Sequence, residues 1–271
     1  MIDRNSRSLA SRILATGLFA AGVLFGSTVL ACTTDGWDGG VTGTPLAGSP
    51  SPEGVARVSG VCAMELGGAG SVKDTSPTAE PTTHTRFYVK ADGVSGSPVI
   101  FQAFSDEDAI SSLVTVTFDG SDFVFDAGAG ASANVPGSSG WNIVEMAWTG
   151  GGTMDYWVNA DAVVEPLNPT GTVNAAAGTM ESIILGAPDS LDGFLTFDDY
   201  EMRRTNHIGR VAECDAEGDS ENDDIDLNDA LAVVDEIFAV PSILAQGSPD
   251  CQLDGDVDLN DVLAIVDIVF P

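Results

Sequence analysis

Basic side chains are scarce in this chain: ten Lys and Arg stand against 41 Asp and Glu in 271 residues, a formal net charge of −31. Such a balance excludes nucleic acid and anionic membrane as direct partners, because both would repel it. Histidine is scarcer still, with only His84 and His207, so imidazole-rich zinc sites have little to draw on. The nucleophile elbow G-x-S-x-G, the metalloprotease motif H-E-x-x-H and the phosphate-binding loop are all absent. No apolar run after residue 31 reaches the length of a membrane span, so no membrane insertion is expected once the leader is cleaved. What remains is a globular composition. It has 44% hydrophobic residues, 12 Phe and 31 Gly, in a chain long enough for one large domain or two modest ones.

The leader is legible by pattern. Arg4, Arg7 and Arg12 precede a nearly unbroken apolar or small stretch from Ile13 to Leu30, and Val29-Leu30-Ala31 offers small-residue cleavage before Cys32. Residues 1–31 therefore read as a secretory signal peptide, and the mature chain is expected to be secreted or at the cell surface. An uncleaved anchor and a lipid anchor at Cys32 are the alternatives; Leu30 is bulky where a lipoprotein signal has a small residue. Export makes two disulfides the expectation for Cys32, Cys62, Cys214 and Cys251. Pairing within each half, Cys32–Cys62 and Cys214–Cys251, is the simplest of three connectivities, and lipidation of Cys32 would leave Cys62 odd.

Composition changes near residue 211. Before it the chain is rich in Gly, Ser, Thr and Val; from Val211 onward there is no Lys or Arg while acids recur. In the first part Val114, Val116 and Phe118 alternate with Thr115 and Thr117, and Asp119-Gly120-Ser121-Asp122 turns the chain into Phe123-Val124-Phe125, a hairpin signal. Further strands are predicted over 61–66, 85–90, 99–104, 142–148, 154–159, 182–185 and 194–203. Many short strands separated by turn residues predict a mainly β chain built on an antiparallel sandwich or barrel.

Trp141-Asn-Ile-Val144-Glu-Met146-Ala-Trp148, a Gly-rich turn and Met154-Asp-Tyr156-Trp-Val158-Asn159 together resemble the central hairpin of laminin-G-like, concanavalin-type jelly rolls. The stretch from Gly193 to Arg204 is similar to that family's closing strand, and Thr85 to Lys90 to one of its early strands. The resemblance covers residues 38–210 and implies a β-sandwich (jelly roll) over 32–210 that contacts a glycan or another surface ligand. Trp141, Trp148, Tyr156 and Trp157 are read as core and hairpin packing ahead of a sugar-stacking platform.

The acidic tail, 211–271, is duplicated. Residues 224–238 and 256–270 align without a gap at an offset of 32, each copy an acidic loop leading into an apolar helix. Leu231, Val234 and Phe238 share one helical face, as do Leu263, Val266 and Phe270, and the two faces are expected to pack on one another. The second loop has calcium-ligand spacing. Asp250, Gln252, Asp254, Asp258 and Asp261 stand at positions 1, 3, 5, 9 and 12, Asp256 offers its carbonyl at 7, and Gly255 fits the turn at 6. In the first loop the matching ligands are Ser220, Asn222, Asp224, Asp226 and Asp229, with Gly218 at position 1 and Asp223 where the turn Gly should be. A second alignment starts at Asp215 and uses Glu217 and Asp219, with Asp226 and Asp229 retained. Ca2+ is expected in the second loop, and occupancy of the first is left open.

The loop ends in Asp rather than the Glu of an EF-hand and has no entering helix. In both respects, and in the 32-residue offset, it resembles the dockerin type I module. That resemblance implies a small α-helical calcium domain whose helix-start pairs, here Leu227-Asn228 and Leu259-Asn260, face a cohesin-like partner. Cellulosomal dockerins carry Ser-Thr pairs there, which puts a cohesin partner in doubt. An E-x-D-x-x-E array, the catalytic pattern of glycosidases on the sandwich fold, is absent; Glu145, Glu181 and Glu201 lack that companion acid, although Asp198 and Asp199 lie near Glu201. The sequence thus predicts an exported, non-catalytic binding or adhesion protein with a glycan-type sandwich and a calcium-dependent docking tail. A structural matrix component and a polysaccharide-degrading enzyme with an unrecognised site are the alternatives.

Overall fold

The computed structural model describes residues 38–43, 46–48, 57–59, 62–160, 168–210, 214–216, 225–238, 247–254 and 256–270. The leader, Cys32, Gly255 and the first-loop candidates Ser220, Asn222 and Asp224 lie outside the described residues.

The chain is mainly β. Its first strands are β1 (Val41–Gly43), β2 (Leu46–Gly48), β3 (Ala63–Leu66), β4 (Gly70–Asp74), β5 (Thr82–Ser95), β6 (Val99–Phe104) and β7 (Ser112–Phe118). There follow β8 (Asp122–Asp126), β9 (Val135–Pro136), β10 (Asn142–Thr149), β11 (Thr153–Val158), β12 (Gly171–Asn174), β13 (Ser182–Ala187) and β14 (Asp192–Arg203). Two helices close the order, α1 (Leu227–Phe238) and α2 (Leu259–Val269). The strands form two seven-stranded antiparallel sheets, β1-β4-β13-β6-β7-β8-β9 and β12-β11-β10-β5-β14-β3-β2, packed as a sandwich. Among the described residues no helix is long and apolar enough to cross a membrane.

Alternation explains the layering. On β7, Val114, Val116 and Phe118 are buried while Thr115 and Thr117 are half-exposed, and the hairpin to β8 pairs Thr117 with Val124 and Phe118 with Phe123. Its turn is held by Asp119, whose Oδ1 accepts from the amides of Ser121 (2.9 Å) and Asp122 (2.7 Å). The space between the sheets is filled by aromatic and β-branched side chains, with Phe118 stacked on Phe123 (ring centroids 4.0 Å apart) and Phe125 on Tyr156 (4.3 Å).

The second sheet matters most for the sites. At its centre β5 pairs with both β10 and β14. Phe87 and Val89 of β5 point into the inter-sheet core, so by alternation His84, Arg86 and Tyr88 lie on the outer face. Part of that outer face is covered: Tyr88, Trp141 and Ile143 are buried together with Val58, and Leu253 of the acidic tail packs on them. The amide of Trp141 donates to the Leu253 carbonyl at 3.0 Å. A Cβ at Gly140 would come within 2.5 Å of the same oxygen, so glycine is what permits this close approach.

The helices pack on one another, but of the face that periodicity suggested only Val266 takes part in the buried cluster. Ala230, Val233 and Ile265 are buried, with Ile237, Val262, Val266 and Val269 half-buried around them. Leu231, Phe238, Leu263 and Phe270 are 60–67% exposed. Both helices are apolar around most of their circumference, so two stripes with the same 3.6-residue period compete. The smaller, β-branched side chains are inside, where two short helices can approach closely.

Candidate functional site

In the tail the predicted calcium loop closes around its two ends. Asp250 (position 1) and Asp261 (position 12) are 0% and 1% exposed, Asp258 is half-buried, and Gln252, Asp254 and Asp256 are exposed. Asp250 Oδ1 accepts from the Asp254 amide at 3.1 Å, while Asp261 accepts from the amides of Gln252 (3.1 Å) and Asp258 (2.8 Å). The carboxylates of positions 1 and 12 thereby fold the intervening chain back on itself. Asp258 also caps α2, accepting from the Asn260 amide at 2.6 Å, and forms a capping box with Asp261. Burial pushes the Asp261 carboxyl up, with Asp254 and Asp258 adding like-charge repulsion against the pull of two amide donors. Two buried carboxylates and one half-buried one thus stand at the ends of the loop, tied to its own amides, while the middle positions face solvent.

The first copy repeats this turn. Asp229 is 2% exposed and its Oδ2 accepts from the Asp226 amide at 2.7 Å, the counterpart of Asp261 and Asp258. Asp226 Oδ1 accepts from the Asn228 amide at 2.6 Å, as Asp258 does from Asn260. Asp215, the start of the second alignment, is buried, and its carbonyl accepts from the Ser248 amide at 2.7 Å. Cys214 and Cys251 form a disulfide that joins the two loop regions. Cys62 is also disulfide-bonded.

A second cluster was not foreseen. His84, expected just ahead of a strand, lies inside β5, and the turn after β14 returns His207 to the same outer face. With Glu145 of β10 they form a group whose ligand atoms all lie within 4.8 Å of one another. Two neighbouring strands and one turn, far apart in the sequence, supply these residues, so no spacing in the sequence points to them. Neither histidine is an ordinary surface residue: both are half-buried, their rings 4.8 Å apart, and Trp157 meets the His207 ring edge-on at 4.6 Å.

The four aromatic residues weighed as a sugar-stacking platform do not form one. Trp141, Trp148, Tyr156 and Trp157 are 2–6% exposed, so packing is their role. Among the described residues of the sandwich the exposed aromatic is Phe194, 50% exposed, which with Glu65, Lys90, Asp92 and Thr196 lines a shallow depression of about 270 Å3. Asp198 and Asp199 do not face an open cleft: Asp198 Oδ2 accepts from the amides of Val58 (2.6 Å) and Ser59 (3.1 Å), and Asp199 bonds the Ser59 hydroxyl.

No protein-family model and no curated protein matches the chain. Among solved structures it is similar to the cellulose induced protein Cip1, at 15% identity and a TM-score of 0.46 over 66% of this chain and 92% of that one. It is also similar to the binding domain of botulinum neurotoxin DC in complex with SialylT (12% identity, TM-score 0.42, 62% of this chain and 43% of that one). The receptor binding domain of the botulinum neurotoxin C/D mosaic serotype gives 10% identity, a TM-score of 0.44, and 63% and 44% coverage. The chain spans under half the length of these two neurotoxin domains.

Proposed function

We propose that the chain is an exported, non-catalytic binding protein whose tail is a calcium-loaded, dockerin-like module that docks the sandwich to a partner protein. The observation that carries this reading is the repeated geometry of the tail. The same Asp-to-Asp turn opens both helices, at 2.7 Å between Asp226 and Asp229 and 2.8 Å between Asp258 and Asp261. In the second loop Asp250, Gln252, Asp254, Asp258 and Asp261, with the Asp256 carbonyl, would hold Ca2+. In the first, Asp226 and Asp229 would do so with ligands from 215–224.

The duplicated helices also present matched apolar side chains to solvent. Leu227, Leu231 and Phe238 are 49–67% exposed, and Leu259, Leu263 and Phe270, each 32 residues on, are 53–63% exposed. A paired apolar patch of this kind, on a module with no basic residue, suits a protein partner and not a glycan. It includes the helix-start leucines that take the place of the Ser-Thr pairs, so a partner of cohesin type would have to accept an apolar contact there.

The test is calorimetry of the protein with calcium after EDTA treatment. One tight site is expected, together with a rise in helix content, and Asp254→Ala and Asp261→Ala should each weaken it severalfold. Unchanged calcium affinity in both variants would show that the loop is only a solvated acidic turn.

A second reading concerns the sandwich, and Phe194 favours it. An exposed ring beside Lys90, Asp92 and Glu65 combines a stacking surface with hydrogen-bonding groups, which is what a sugar needs. Binding on a glycan array that disappears in Phe194→Ala would support a glycan ligand, and an unaltered profile in that variant would exclude this surface.

A further inference from the structure

The chain has two histidines, and the fold brings both to one buried carboxylate. Glu145 is 2% exposed. Its Oε1 accepts from the Ile208 amide at 2.9 Å and its Oε2 from the Gly209 amide at 3.2 Å, so the carboxylate is fixed in place by the segment leaving the sandwich. Arg86 stands directly opposite Glu145 in the β5–β10 register, yet its guanidinium is committed elsewhere. Arg86 donates to the carbonyls of Asp199 and Gly209 and pairs with Asp199 (3.9 Å) and Glu201 (3.6 Å). Within salt-bridge distance of Glu145, among the described residues, stands only His207, with Nδ1 3.1 Å from Oε1.

His84 completes the group. Its Nδ1 is buried and has no hydrogen-bond partner, a condition that costs free energy and that folded proteins rarely leave uncompensated. A carboxylate without a permanent cation and an imidazole nitrogen without a partner are both accounted for by one ion that accepts nitrogen and oxygen ligands.

We propose that His84, Glu145 and His207 form a binding site for a divalent transition-metal ion of the zinc type. Two imidazoles and a carboxylate suit a borderline ion such as Zn2+, whereas calcium takes oxygen ligands and belongs in the acidic loop. Tetrahedral zinc with bonds of about 2 Å sets its ligand atoms roughly 3.3 Å apart. The His207–Glu145 pair at 3.1 Å already has that spacing, and the widest separation in the group, at most 4.8 Å, closes by side-chain rotation. The fourth position would be taken by water. The Ile208 and Gly209 amides act as outer-shell donors that orient the carboxylate. An ion there ties the turn between β14 and the tail to the middle of the second sheet.

The experiment uses the metal-stripped full chain in excess calcium, so that the acidic loops are filled, and titrates it with zinc chloride. One equivalent should bind. His84→Ala and His207→Ala should each weaken zinc binding at least tenfold, and Asp108→Ala, at an exposed acid outside both clusters, should leave it unchanged. Because the chain has only two histidines, wild-type imidazole NMR gives a second readout that needs no variant: both side-chain spin systems should shift on adding one equivalent. Failure of the wild-type chain to bind zinc under these conditions overturns the proposal. So does binding that leaves both imidazoles unshifted, which would mean that the cluster is only a hydrogen-bonded clasp on residues 207–209.

Discussion

Asp198 shows how one residue can set a pH response. Its Oδ2 lies under the amides of Val58 and Ser59. Burial, followed by the adjacent Asp199 carboxylate, pushes its carboxyl up to about 7, against the pull of those amides. The folded protein therefore holds this proton more tightly than the unfolded chain does. That contribution to stability is complete at acid pH, declines as pH rises from about 4 through about 7, and is gone above that. Measured in excess calcium, Asp198→Asn should flatten stability against pH across that window, removing at most about 1.4 kcal/mol per pH unit. Melting temperatures of the two proteins at intervals from pH 4 to pH 8 would check it; parallel curves would show that Asp198 titrates alike in both states. Sequence reading placed this residue near Glu201 in the closing strand. What alters it is the chain at 57–59, which folds over from more than a hundred positions away and leaves no local signal.

At the scale of elements, local pattern served the strands well and the helices poorly. The predicted strands over 99–104, 142–148 and 154–159 match β6, β10 and β11 to within a residue, because alternation against a two-layer core has one solution. The short β1, β2, β4, β9 and β12 were missed: two to five residues with one or two apolar side chains among Gly, Ser, Thr or Pro carry too little alternation to read. For α1 and α2 the existence and limits were plain from the duplication, but the buried face was not, since two apolar stripes run side by side. This inversion is testable. Ile265→Ala, at a fully buried position, should cost about 2–5 kcal/mol. Leu231→Ala with Leu263→Ala, both 60% exposed, should change stability by less than about 0.5 kcal/mol per site while weakening capture of any partner that uses the patch. Chemical denaturation of the calcium-loaded variants gives both numbers. A large loss in the leucine pair would mean that these side chains are covered in solution.

For the whole molecule, the decisive feature is that the tail is packed on the sandwich and not strung from it. Arg57 is buried and paired with Glu236 of α1, with Asp198 on the sandwich side and Asp250 on the loop side adding to the field around it. Leu253, in the left-handed conformation at φ +54°, seats its carbonyl over Gly140 and on the Trp141 amide, within the same acidic loop whose ends are Asp250 and Asp261. Breaking a buried ion pair from one side strands the other charge, so Arg57→Ala should cost about 3–5 kcal/mol. It should also split a single calorimetric unfolding transition into two, the tail melting first. The same geometry links calcium to the sandwich. If Gln252 and Asp254 are drawn in to a bound ion, the residue between them, Leu253, is held against Trp141. Removing calcium should loosen that contact and change the fluorescence and near-ultraviolet circular dichroism of a tryptophan that belongs to the β domain. Trp141→Phe should abolish most of the calcium-dependent signal, because the other tryptophans among the described residues, Trp148 and Trp157, lie away from Leu253, in the inter-sheet core and against His207. A calcium response of equal size in Trp141→Phe would show instead that the ion acts within the tail alone, and that the two parts share a surface without sharing a signal.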